Sequence, residues 1–166
     1  MFSNRLFNVF LVIAVLTLIG MRSLGLAALP TTEASGSFST TSTTIHSVMD
    51  DKFNEVTDLS STVTYTGTLE GASTLQGTLT VHRDGNGDFQ GMETFTGLVN
   101  GVPGTLTFKV VGSSDLYQTI HLTSTIISGT GGLANAEGAL SMTGIIKDNG
   151  PVGTYTGQID VRIDPF

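Results

Sequence analysis

Few residues in this chain have the type and setting to do chemistry, and the foremost is Glu93. It lies in Gly91-Met-Glu-Thr-Phe-Thr-Gly97. Counted in twos, Phe89, Gly91, Glu93, Phe95 and Gly97 share one face of an extended strand. On an inner face, that pattern places a carboxyl among aromatic rings. Burial disfavours the charged form, so such a carboxyl titrates high and can serve as an acid or base, or as a polar fixing point for a ligand. The same residue on an outer face, or tied up by core hydrogen bonds, would do neither. Glu70, at a strand end in Leu69-Glu-Gly71, reads as a solvated acid.

Other candidates dissolve on inspection. Gly129-Thr-Gly-Gly-Leu-Ala134 fits G-x-G-x-x-A by letters, but a strand follows it where a dinucleotide site needs a helix amino terminus. Asp84, Asn86 and Asp88 imitate the start of a calcium loop, yet Phe89 and Phe95 stand where the loop glycine and the bidentate glutamate belong. His46, His82 and His121 are scattered singly, so no metal site and no cofactor is expected. No G-x-S-x-G elbow is present, which argues against a hydrolase of that kind. Without any cysteine there is no disulfide, thiol nucleophile or lipid-modified amino-terminal cysteine.

The elements that must position Glu93 follow from composition and periodicity. The chain has 166 residues, 21 of them glycine, and only 13% charged residues, which suits one sheet-rich domain with tight turns. All fourteen acids lie beyond residue 30, against five of the seven bases. That field repels phosphates, so nucleic acid is excluded as a partner. Residues 1–28 read as a signal peptide: Arg5, an uncharged run over 6–21, then Gly25-Leu-Ala-Ala28 before a cleavage point. If it is retained, residues 6–21 become a membrane anchor. In either case the body is expected to be secreted or extracytoplasmic.

Residues 29–34 read as a linker and 35–166 as a β-barrel domain of eight strands. The expected strands are 35–45, 62–69, 75–82, 89–97, 104–111, 116–127, 139–146 and 153–163. The acidic stretch 47–60 reads as a long loop or a helical turn. Inward sets include Val63, Tyr65 and Leu69; Leu75, Leu79 and Val81; Leu106, Phe108 and Val110; and Tyr155 with Ile159. Turns are expected at Asp84-Gly-Asn-Gly-Asp88, Asn100-Gly101 and Asp148-Asn-Gly-Pro151. Short turns between alternating strands imply an antiparallel meander, and closure into a barrel removes its edges.

Three stretches carry a resemblance: Thr66-Gly-Thr-Leu-Glu-Gly71, Gly91-Met-Glu-Thr-Phe-Thr-Gly97 and Ser128-Gly-Thr-Gly-Gly-Leu-Ala-Asn-Ala-Glu-Gly138. In order and spacing they resemble a bacterial family of uncharacterised function that is itself similar in fold to allene oxide cyclase, a barrel shared with plant dirigent proteins. The resemblance implies an all-β, closed eight-stranded antiparallel β-barrel of the allene oxide cyclase-like kind. The plant cyclase relies on an acid in its first strand, and 35–45 here contains none.

The expected function is an exported barrel binding a small, largely apolar molecule in its lumen. Tyr65, Phe95 and Phe108 would form the walls and Glu93 the polar contact. Two alternatives stand beside it: a cyclase or isomerase with Glu93 as catalytic acid/base, and a non-enzymatic structural or interaction protein with a filled barrel, which could form a homo-oligomer.

Overall fold

A computed structural model describes residues 32–51, 54–115 and 118–162. Eight strands follow one another: β1 (Glu33–Asp51), β2 (Asn54–Gly67), β3 (Leu69–His82), β4 (Gly87–Val99), β5 (Val102–Asp115), β6 (Thr119–Gly131), β7 (Glu137–Lys147) and β8 (Gly150–Asp160). Each pairs antiparallel with the next, and β1 pairs antiparallel with β8 to close the barrel. The leader, residues 6–21 within it, Leu116 and Ile163 lie outside the described residues.

Period-two alternation explains why these segments are strands. On β4, Phe89, Glu93, Phe95 and Val99 turn inward while Gln90, Met92, Thr94 and Thr96 face out. Threonine suits the outer face, because a β-branched side chain packs well on a pleated, half-solvated surface. Asn100 and Gly101 have φ of 49° and 81°, as the two central positions of a type I′ hairpin require.

The stretch 47–60 corrects the sequence expectation. Its described residues are neither loop nor helix: β1 continues to Asp51 and β2 begins at Asn54, pairing from Gly36↔Gly67 through Asp51↔Asn54. One acid there, Asp58, bonds across strands on both sides. Asp58 accepts hydrogen bonds from Thr78 at 2.7 Å and Ser47 at 2.9 Å, which hold its carboxyl below the usual aspartate range, Thr78 foremost. Register shifts between Thr40 and Ser42 and between Ile45 and Ser47 break the alternation that would have betrayed a strand. The linker is shorter than expected as well, since Glu33 and Ala34 belong to β1 and Ala34 is buried. Leu69 opens β3 rather than ending β2, because the chain turns at Gly67, where φ is 105°. At the other terminus β8 stops at Asp160.

The barrel's two ends differ. One carries the β2–β3, β4–β5 and β6–β7 connections, and its interior is packed solid by Leu69, Phe95, Val99, Leu106 and Ile159. The glycine-rich connection folds back there so that Leu133 enters the core as a stopper, with 0% of its surface exposed. Gly104 makes room for it; a Cβ at that position would lie 2.9 Å from Leu133 Cγ. Nearby, Tyr155 reaches across from β8: its hydroxyl accepts from the Leu69 amide at 2.8 Å and donates to the Thr66 carbonyl at 3.1 Å. Toward the opposite end, where β1–β2, β3–β4, β5–β6 and β7–β8 are joined, the described residues leave the interior unfilled.

Candidate functional site

Where the packed half gives out, a cavity of about 210 Å³ begins. Its wall is mostly hydrocarbon, from Phe38, Val63, Leu75, Leu79, Val110 and Leu122 among others. Thr43, Ser113, Gly150 and Pro151 lie at its outer end, beside the β7–β8 and β5–β6 connections, and Thr43 and Ser113 are exposed. Among the described residues the interior is therefore a cup: closed by Leu133 and its neighbours, open at the other end. Its volume exceeds the ~150 Å³ that suffices for benzene in an apolar cavity, and falls below the ~300–1,000 Å³ of drug-sized sites.

Glu93 sits at the floor of this cup, 2% exposed. Inward parity on β4 aims it there, with Leu75 of β3 and Phe108 of β5 as its cross-strand partners. Two hydroxyls meet the carboxyl, and both meet the same oxygen. Tyr65 donates to Oε1 at 2.7 Å, and Ser73 donates to Oε1 as well. That leaves Oε2 for the cavity. Burial pushes the Glu93 carboxyl above its ordinary value, while the bonds from Ser73 and Tyr65 pull it down; burial prevails. Tyr65 is pushed well above the ordinary tyrosine value, by burial first and then by Glu93 beside it.

Tyr65 is the hinge between the two halves. Its ring stands edge-on to Phe95 and to Tyr155, both with centroids 5.8 Å away, and is tilted against Phe38 at 6.4 Å. Such edge contacts fix the ring plane and so aim the hydroxyl.

Of the four residues expected at the site, the structure brings Tyr65 and Glu93 to the cavity wall. Phe95 and Phe108 are fully buried and do not line the cavity, so they support the floor instead of forming the wall. Ser73 was missed. Its signal was present in the parity of β3, where Leu69, Ser73 and Leu75 fall in step. Glu70 is exposed. Asp84 accepts from the Asn86 amide and side chain, both at 3.0 Å, as a turn residue. His82 contacts Asn54 at 3.0 Å and Asp88 at 2.9 Å. Among the described residues no three His, Asp or Glu side chains gather as a metal site.

Fold and site together define a small antiparallel β-barrel protein with one carboxyl at the base of an apolar cup. The chain belongs to the family described as Protein of unknown function (DUF3224), whose pattern matches residues 34–156. It is similar in structure to a DUF3224-family protein of unknown function from Shewanella oneidensis MR-1, with a TM-score of 0.66 and 16% identity. The match covers 81% of this chain and 100% of that one. At that identity the likeness is one of fold. No curated protein matches the chain.

Proposed function

We propose that this protein is an exported barrel that holds one small, largely apolar molecule in its cup, with Glu93 as the polar contact. One observation carries the reading: a carboxyl with an oxygen turned into a hydrocarbon-lined space of about 210 Å³. In a barrel serving only as a scaffold an acid there carries a cost, since it buries a polar group with an acceptor that the strand contacts leave unbonded. Export is supported by Arg5, the uncharged run over 6–21 and the small residues before Leu29. The order of strands in the closed meander supports the allene oxide cyclase-like kind of barrel.

Native mass spectrometry after incubation with an apolar extract of the host tests this reading. A stoichiometric adduct is expected on the wild type and is expected to be absent from Leu79→Trp, which fills the cavity. A wild-type protein that stays free of adduct overturns it.

A second reading has the same residue move a proton on the bound molecule. The raised Glu93 carboxyl facing the cavity favours it. Conversion of the captured molecule by wild type and not by Glu93→Gln is the expected result; equal conversion by both removes Glu93 from the chemistry.

A further inference from the structure

We infer that the cup selects an uncharged molecule whose hydrocarbon frame carries a hydrogen-bond acceptor, a carbonyl or ether oxygen, placed against Oε2 of Glu93. This deepens the ligand-holding reading above and rests on it.

The geometry of the donors carries the argument. Tyr65 and Ser73 each have one hydroxyl proton, and both spend it on Oε1. Oε1 thus plays the part of a carbonyl oxygen, accepting twice. In a neutral carboxyl the acidic proton then resides on Oε2, directed into the cavity as a donor. The surroundings favour that neutral form. Against Glu93, β3 presents Ser73 and Leu75, β5 presents Phe108, and β2 presents Tyr65, with Tyr155 of β8 behind it. The described lining includes no Lys, Arg or His, so nothing there compensates a carboxylate.

The same facts set the selectivity. An anionic ligand finds no cation in the wall and meets a carboxyl at the floor. A cationic amine would have to bury its charge against a hydrocarbon wall, and the attraction of one carboxylate repays such desolvation poorly. A pure hydrocarbon fits the wall but leaves the Oε2 proton without an acceptor, which costs the cup a hydrogen bond. A ketone or ether satisfies both requirements.

Four probes of matched size separate these cases: acetophenone, ethylbenzene, benzoate and benzylamine, titrated calorimetrically in mildly acidic buffer. Acetophenone should bind about fivefold to tenfold more tightly than ethylbenzene, the equivalent of one net hydrogen bond. Benzoate should be the weakest. Glu93→Gln should keep the preference for the ketone, because its amide carbonyl can accept from Tyr65 and Ser73 while its NH₂ donates into the cup. Glu93→Leu should lose the preference yet still take ethylbenzene. Equal affinity of wild type for acetophenone and ethylbenzene, or tightest binding of benzylamine, overturns the inference and leaves the cup reading intact. Binding of none of the four overturns the cup reading, and the inference falls with it. If Glu93→Leu does not fold, the ketone-to-hydrocarbon ratios of wild type and Glu93→Gln decide the matter by themselves.

Discussion

The Tyr65 hydroxyl donates to Glu93 Oε1 over 2.7 Å between two strands that are not neighbours. Tyr65 is on β2 and Glu93 on β4; β3 runs between them and adds Ser73 to the same oxygen. Three consecutive strands therefore converge on a single atom. A slip of one residue in either pairing would turn at least one of the three outward, so this cluster pins register where the cavity begins.

Tyr65→Phe keeps the ring and removes that donor. Loss of one buried hydrogen bond to the carboxyl should cost about 1–3 kcal/mol in urea unfolding. Because the Tyr65 bond pulls the Glu93 carboxyl down, its removal should move the Glu93 titration upward. Carboxyl carbon NMR across a pH series reads this directly; a downward move would contradict the bond's role.

Glu93 also ties stability to pH, and the sign is fixed by the direction of its shift. The folded protein holds this proton more tightly than the unfolded chain does. Stability from Glu93 is therefore complete below the ordinary glutamate value of 4.5 and is lost as pH rises through the higher folded value. Asp58 and Asp84 are shifted the opposite way and contribute the opposite slope. The difference between wild type and Glu93→Gln isolates the term: wild type should lose stability relative to the variant as pH climbs above 4.5. A difference that is flat with pH would show that the carboxyl is not perturbed by folding.

Leu133→Ala should cost about 2–5 kcal/mol, as expected for emptying a fully buried leucine site. Since Leu133 stops the end away from the cup, affinity for acetophenone should stay within about twofold of wild type at a temperature where the variant is folded. Parallel loss of stability and of binding would show that the two halves are not independent.

Gly101→Ala tests the turn alone. At φ of 81°, with nothing within 4 Å of the added methyl group, backbone strain is the whole folded-state effect and should amount to about 1–2 kcal/mol. Gly101→Asn should cost less than Gly101→Val, because asparagine tolerates that backbone region. Equal cost for Asn and Val would point to a contact instead of strain.

From β3 onward, the meander was legible in the sequence because apolar and threonine residues alternate cleanly and three of the turns, β3–β4, β4–β5 and β7–β8, carry Asp-Gly or Asn-Gly. Glu93's shared face with Phe89 and Phe95 was legible for the same reason, but that this face is the inner one is settled only by the folded sheet. The far half of β1 was not. Its Ser and Thr residues suit either face, two register shifts change parity, and Ile45, Val48 and Met49 stand exposed where a core pattern would bury them. Parity also cannot report height. It placed Phe95 and Phe108 inside the barrel but not which side of the cavity floor they occupy. Ser73 needed one thing more, the pairing of Leu75 with Glu93, which only the folded register supplies.

The stopper at Leu133 has a kinetic consequence. A barrel open at both ends can pass a molecule along; this one has a floor, so whatever enters must leave by the same door, hydrocarbon end first if its oxygen faces Glu93. Such a vessel conducts nothing and meters nothing through. For the proposed ligand, passage in and out would then run past the rim, by the exposed Thr43 and the β7–β8 turn to which it bonds, at the end away from Glu93.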